Sequence, residues 1–110
     1  MYIGRDFSPQ QQGESEVFGI DFVMDLNAGE VLQSSRWFLT VVDGADPNPG
    51  KHLQGPSKVV KPLGSEIVTA TIQRIGGVLP DVTYVVEAVV ITSLGNTRSL
   101  WTHLRGVNTD

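Results

Sequence analysis

No cysteine occurs at any of the 110 positions. That absence excludes a disulfide framework, a thiolate nucleophile and a cysteine-ligated zinc site, and it removes redox chemistry as a guide to compartment. Long hydrophobic runs are missing too. The longest, Val85 to Ile91, is interrupted by Glu87 and is far shorter than the ~20 residues of a membrane-spanning helix, so no membrane segment is expected. Positive charge is sparse: 8 Lys and Arg are scattered against 12 Asp and Glu, for a net charge of −4. This is not the electrostatic footprint of a nucleic-acid binder. No segment keeps a helical period for more than a turn or two. The opening MYIGRDFSPQQQGESE lacks a basic stretch followed by an apolar one, so a protein made and used without export is expected.

What the chain does have is β-branched alternation punctuated by turns. The clearest case is LPDVTYVVEAVVITSLGNTRSLWTHL, Leu79 to Leu104. Val, Ile, Thr and Tyr fill its first arm, Leu94, Gly95 and Asn96 supply turn chemistry, and alternation resumes at Thr97, which predicts a β-hairpin. Parity then divides the first arm. Tyr84, Val86, Ala88 and Val90 face a core, while Val85, Val89 and Ile91 face outward. Leu79, Pro80 and Tyr84 read as the corner in which a buried phenol hydrogen-bonds to nearby backbone.

Upstream, Phe18, Ile20, Phe22 and Met24 alternate with polar residues and predict a half-buried strand ending at Leu26. Asn27 to Glu30 form a turn. Val31 to Val42 then form a strand with Trp37, Leu39 and Val41 on one face and Phe38 and Val42 on the other. Asp43 to Lys51, rich in Pro and Gly, is a loop. His52 to Gln54 predict a short strand. Gly55 to Ser65 is irregular because Pro56 and Pro62 bar a central strand, although Val59 can touch the core. Glu66 to Ile75 alternates, with Val68, Ala70 and Ile72 on one face and Thr69, Thr71 and Gln73 on the other. The expected architecture is all-β: an immunoglobulin-like antiparallel β-sandwich of six or seven strands over residues 16–110. One domain of this length holds a single two-layer core.

Residues 1–15 differ in character. Their polar, turn-prone composition predicts an extended N-terminal arm rather than a packed element. Tyr2, Ile3 and Phe7 are three apolar side chains on that arm, which either fray or dock on a neighbour. With Phe38, Val42, Val85, Val89 and Ile91 they form the candidate interface. A monomer rarely exposes the five on the two strands, Phe38, Val42, Val85, Val89 and Ile91, so either the arm or the Asp43 to Lys51 loop covers them, or a second subunit does.

The sequence offers little for catalysis. His52 and His103 lie in no metal-ligand or nucleophile motif and read as structural or surface residues. Asp21 and Asp25, four apart on a strand, would stand roughly 13 Å apart, too far to share a water or metal, and read as a solvated strand face. Gly76 and Gly77 precede a strand, not a helix, so they make no phosphate cradle. Ser34, Ser35, Ser93 and Ser99 have no GxSxG neighbour. No catalytic residue, metal ligand, cofactor or small-molecule substrate is expected, and the chain is read as a non-enzyme.

One set of residues does suggest a family. From Ile20 to Val107 the order is IDFVMDL, the turn AGE, VLQSSRWFLTV, a loop with Asp and Pro, HLQG, a strand closed by Gly-Gly, and TYVVEAVVITSLGNTRS. It resembles the small immunoglobulin-like virion proteins of tailed bacteriophages of the fiber-tail adaptor or minor structural type. The matching positions are Asp21, Phe22, Leu26, Gly29, Glu30, Ser34, Trp37, Leu53, Gly55, Gly77, Tyr84, Thr92, Ser93, Gly95 and Arg98. The resemblance implies a structural subunit of the tail, head-tail junction or fiber attachment, assembled in the host cytoplasm. Such a subunit would contact other virion proteins and copies of itself in a ring or trimer. A capsid decoration protein is an alternative, as is a general binding module for carbohydrate or cell surface. The two long loops carry no Trp, Tyr or Phe, which weighs against sugar binding.

Overall fold

A computed structural model describes residues 1–108. It is all-β, with no α-helix among the described residues. The strands are β1 (Gln10–Gln11), β2 (Ser15–Asp21), β3 (Leu32–Asp43), β4 (Leu53–Val60), β5 (Ala70–Gly76), β6 (Thr83–Thr92) and β7 (Thr97–Val107), with short 3-10 turns at Val23–Asp25 and Pro49–His52. A four-stranded sheet runs β1-β7-β6-β3, and a three-stranded sheet runs β2-β5-β4. The pairs are antiparallel except β1 with β7, which is parallel.

The hairpin forms as its alternation requires. Thr83 to Ile91 pair with Arg105 to Thr97 without a register break, and Gly95 takes φ 79° in the turn, a conformation Gly adopts without a Cβ clash. Tyr84, Val86, Ala88 and Val90 have no exposed surface. They pack with Trp37 and Leu39 of β3, Leu100 and Leu104 of β7, Phe18 and Ile20 of β2 and Ile75 of β5, so one core lies between the two sheets. Each fully buried Val, Leu, Ile or Phe there contributes about 1.5–3 kcal/mol of hydrophobic stabilisation.

Four expectations are corrected. The strand through Phe18 ends at Asp21, and Asp21 Oδ1 accepts the Val23 N–H at 3.0 Å to start a 3-10 turn. Phe22 stays buried while Met24 turns out to 91 % exposure. Pro56 does not end β4, because β4 is an edge strand whose register shifts between Gln54 and Lys58. A missing N–H is harmless at such a bulge.

The third correction is at β5, which starts at Ala70 rather than Glu66; the alternation leaves its core side open, and that side carries Thr71 and Gln73 together with Ile75. Thr69, Thr71 and Gln73 are buried, whereas Ile72 is only half-buried. Hydrogen bonds make this tolerable. Thr71 Oγ1 accepts from Trp37 Nε1 at 2.9 Å and donates to Ser35 Oγ at 2.7 Å. Gln73 Nε2 donates to the carbonyls of Gly55 and Arg74, each at 3.0 Å.

The fourth concerns the arm, which is packed. It extends the four-stranded sheet along β7: Ile3 N–H donates to Trp101 O and Phe7 N–H to His103 O, both at 3.0 Å. Gln10 is fully buried, and its Nε2 donates to Ile75 O at 2.9 Å, tying the arm to the opposite sheet.

Candidate interaction surface

The outward positions of β3, β6 and β7 follow from register. Phe38 pairs with Glu87, which pairs with Trp101, and the arm's Tyr2 bridges to Trp101 beyond it. Tyr2, Glu87, Phe38 and Trp101 therefore cross the sheet in one row. Neighbouring rows are Arg36, Val89 and Ser99 on one side and Thr40, Val85 and His103 on the other. Ile91 pairs with Ser34 one row further out. Val42 stands at the opposite end, in the bulge between Val41 and Asp43.

This face is uncovered. Phe38 is 40 % exposed, Ile91 48 % and Val42 56 %, and Val85, Val89 and Trp101 are half-buried by their neighbours in the sheet. The arm lies beside β7 rather than over it. The Asp43 to His52 segment tucks back against the hairpin's core side through Tyr84. Of the eight candidate interface residues, Tyr2, Phe38, Val42, Val85, Val89 and Ile91 share this side. Ile3 and Phe7 do not: both pack against the core, and the Phe7 ring lies 4.7 Å from that of Phe18. The arm's alternation, continued from Tyr2 outward to Ile3 inward, separates them.

Sequence reasoning missed four members. Trp101 and His103 are outward because Leu100, Thr102 and Leu104 are inward, a parity signal present in the sequence. Arg36, whose guanidinium sits 5.5 Å from the Phe38 ring centre, and Glu87 supply charge. At the rim, the Tyr2 and Trp101 rings lie 5.0 Å apart. Tyr2 donates to Asp6 Oδ1 at 2.7 Å, and His103 Nδ1 lies 3.2 Å from the same oxygen. The Tyr2 hydroxyl foremost holds the Asp6 carboxyl below the usual carboxylate range.

Two buried polar networks brace the sheet behind this face. Asp46 Oδ2 accepts from Tyr84 Oη and His52 Nε2, each at 2.7 Å, while its Oδ1 accepts the Asn48 N–H at 3.1 Å. Burial pushes the Asp46 carboxyl up, but these donors outweigh it and hold the group below its ordinary value. Burial likewise pushes the Tyr84 phenol up to about 12. The phenol also accepts the Leu79 N–H at 3.0 Å, the corner bond anticipated from Leu79, Pro80 and Tyr84.

At the other end of the hairpin, Glu30 from the AGE turn is buried. Its carboxylate accepts from the Thr92 hydroxyl, from Asn27 N–H at 2.9 Å and from Asn96 Nδ2 at 2.9 Å. The Thr92 bond above all, then the Asn27 N–H, lowers its pKa to about 2, with Asn96 and Arg98 adding to this against burial.

The remaining chemistry is limited. No group of three His, Cys, Asp or Glu arranged to hold a metal ion occurs among the described residues. His52 is enclosed, with Nε2 on Asp46 and Nδ1 beside Gly77, and no serine hydroxyl hydrogen-bonds to it among the described residues. The arrangement is suited to holding a rigid, partly apolar face with charge at its centre. Compared with protein families, curated proteins and solved structures, the chain matches none.

Proposed function

We propose that this protein is a structural subunit of a tailed-phage virion, in the tail, the head-tail junction or a fiber-attachment position. It acts through protein–protein contacts, without enzymatic chemistry, on other virion proteins and on copies of itself. The observation that carries the interaction role is the uncovered outer face of the four-stranded sheet. There Phe38, Val85, Val89, Ile91, Trp101 and Tyr2 present an aromatic and aliphatic surface on a rigid hairpin. Isolated surface apolar residues are ordinary, whereas a contiguous set on one sheet face marks an interaction site. The phage assignment rests on the resemblance carried by the AGE turn, Trp37 and the Tyr84 to Arg98 hairpin.

The strand order supports an immunoglobulin-like reading of the fold. In that topology the second, fifth and fourth strands share one sheet while the third, sixth and seventh share the other, and β2-β5-β4 and β7-β6-β3 follow that division. The parallel pairing of β1 with β7 places the first strand on the second sheet. Proteomics of gradient-purified particles from the genome that encodes this chain tests the assignment. Detection at a fixed ratio to the major tail or capsid protein is expected, and absence from intact particles overturns it.

A further inference from the structure

The charges on the outer face are placed so that the face complements itself. Arg36 pairs across the ladder with Val89, and the next outward row pairs Phe38 with Glu87. The four residues mark the corners of a rectangle, with Arg36 and Glu87 on one diagonal and Phe38 and Val89 on the other. Its sides are about 4.8 Å across the strands and roughly 6.8 Å along them. Arg36 is exposed and Glu87 half-exposed. Neither forms an ion pair within the chain among the described residues, whose salt bridges involve other groups. Glu87 accepts only a hydroxyl bond, from Ser99 at 2.7 Å.

We infer that this face pairs with the same face of a second copy about a two-fold axis running along the Phe38 to Val89 diagonal. The inference rests on reading the face as an interaction surface and names its partner. Rotation about that diagonal lays Phe38 against Phe38 and Val89 against Val89 of the second copy. Arg36 comes within about 3 Å laterally of the second copy's Glu87, and Glu87 likewise meets its Arg36, at the strand spacings of an ordinary sheet. Facing sheets stand ~10 Å apart, a gap that an Arg and a Glu side chain span together. A two-fold interface uses one patch twice, so one Arg and one Glu at exchanged corners give two ion pairs around an apolar centre.

The axis runs close to the β3 edge and sets the strands of the two copies about 70° apart, so less than half of the outer face, roughly 300 Å² per copy, overlaps, which is the size of a weak pair rather than of a standard interface. The product is a two-fold pair, in place of the ring or trimer that the resemblance implies.

Charge exchange tests this directly. By sedimentation velocity at high micromolar concentration, the wild-type chain is expected to be a dimer. R36E and E87R should each weaken association by roughly a hundredfold or more, since each sets like charges opposite one another twice. The double variant R36E/E87R should restore it. Because the chain has no cysteine, Val89→Cys provides a second readout. A short bis-maleimide should link two Cys-bearing chains at the axis, whereas a cysteine at exposed Leu94, in the hairpin turn, should not link.

A monomeric wild type, a double variant no better than the single ones, or equal linking at both positions overturns the inference. A monomer that is nonetheless present in virions defeats this pairing and leaves the virion assignment standing. A dimer that responds to charge exchange yet is absent from particles does the reverse.

Discussion

Tyr84 and Asp46, 38 residues apart, share a 2.7 Å hydrogen bond inside the protein. The phenol donates to the carboxylate and accepts the Leu79 N–H at 3.0 Å, so one hydroxyl joins the loop after β3 to the corner before β6. His52 binds the same carboxylate oxygen, and the Pro- and Gly-rich segment between them is thereby fixed.

Tyr84→Phe keeps the ring in the core and removes both bonds of the hydroxyl. The Leu79 N–H loses its partner, and Asp46 Oδ2 keeps only His52. A loss of about 1–3 kcal/mol is expected for buried groups left unsatisfied, read as a lower urea midpoint with an unchanged slope. A midpoint equal to wild type would show that the loop is not held by this bond.

Stability should depend on acid through Glu30. Its folded pKa is depressed to about 2, so the ionised form is favoured by folding. The contribution is complete above the unfolded carboxyl value near 4.5 and is lost as pH falls through the folded value. Thermal unfolding followed from pH 7 to pH 2 should show Tm holding to about pH 5 and then falling. Glu30→Gln should lower Tm at neutral pH and flatten the acid limb, whereas a parallel limb would assign the dependence to other carboxylates.

Tyr84 sets the alkaline side. With its folded pKa raised to about 12, the neutral phenol is favoured by folding. Its contribution is present below the unfolded value near 10 and is lost as pH rises towards 12. Ultraviolet titration of the folded protein should show a phenol ionising about two units late, and Tyr84→Phe should remove that late phase.

Val89→Asp places a charge at the centre of the outer face. Self-association should be lost while far-ultraviolet circular dichroism and Tm stay close to wild type, because Val89 contributes to no buried contact between the sheets. Unfolding instead would place Val89 in the structural core.

Gly106→Ala probes the arm edge. Gly106 pairs with Gln10, and a Cβ there would collide with the Leu79 carbonyl. Overpacking of this kind costs typically 1–3 kcal/mol. Amide exchange should rise along Gln10 and Gln11 as well as lowering global stability, and a variant with unchanged exchange would show that the corner yields easily.

Much of the sheet was legible locally. Residues 84–90 alternate so regularly that the inward set could be named without coordinates, and the same holds for Trp37 and Leu39. The turn at Leu94 to Asn96 was readable from its residue types. Other elements were not. In β5 the alternation of Ala70 and Ile72 with Thr71 and Gln73 does not say which set faces the core, and Thr71 and Gln73 point inward. Their partners are Trp37, Ser35 and the Gly55 carbonyl, all on other strands. Pro56 looks like a strand breaker until β4 is known to lie at an edge. The buried Asp46 and His52 pair sits in a segment that reads as a solvent loop, because only Tyr84 from across the chain gives it a reason to be buried.

By itself, then, the sequence determined the period and the faces of the hairpin, since a strand's two-residue alternation is a local property that needs no partner. Only the tertiary structure decided which edge the arm would join, which side of β5 would be buried, and that Ile3 and Phe7 would turn under while Tyr2 turned out. It also brought Arg36 and Glu87, 51 positions apart in the chain, to diagonal corners of one face. Each of these outcomes depends on which strand lies alongside which, and non-local pairing leaves no periodic trace in either strand alone.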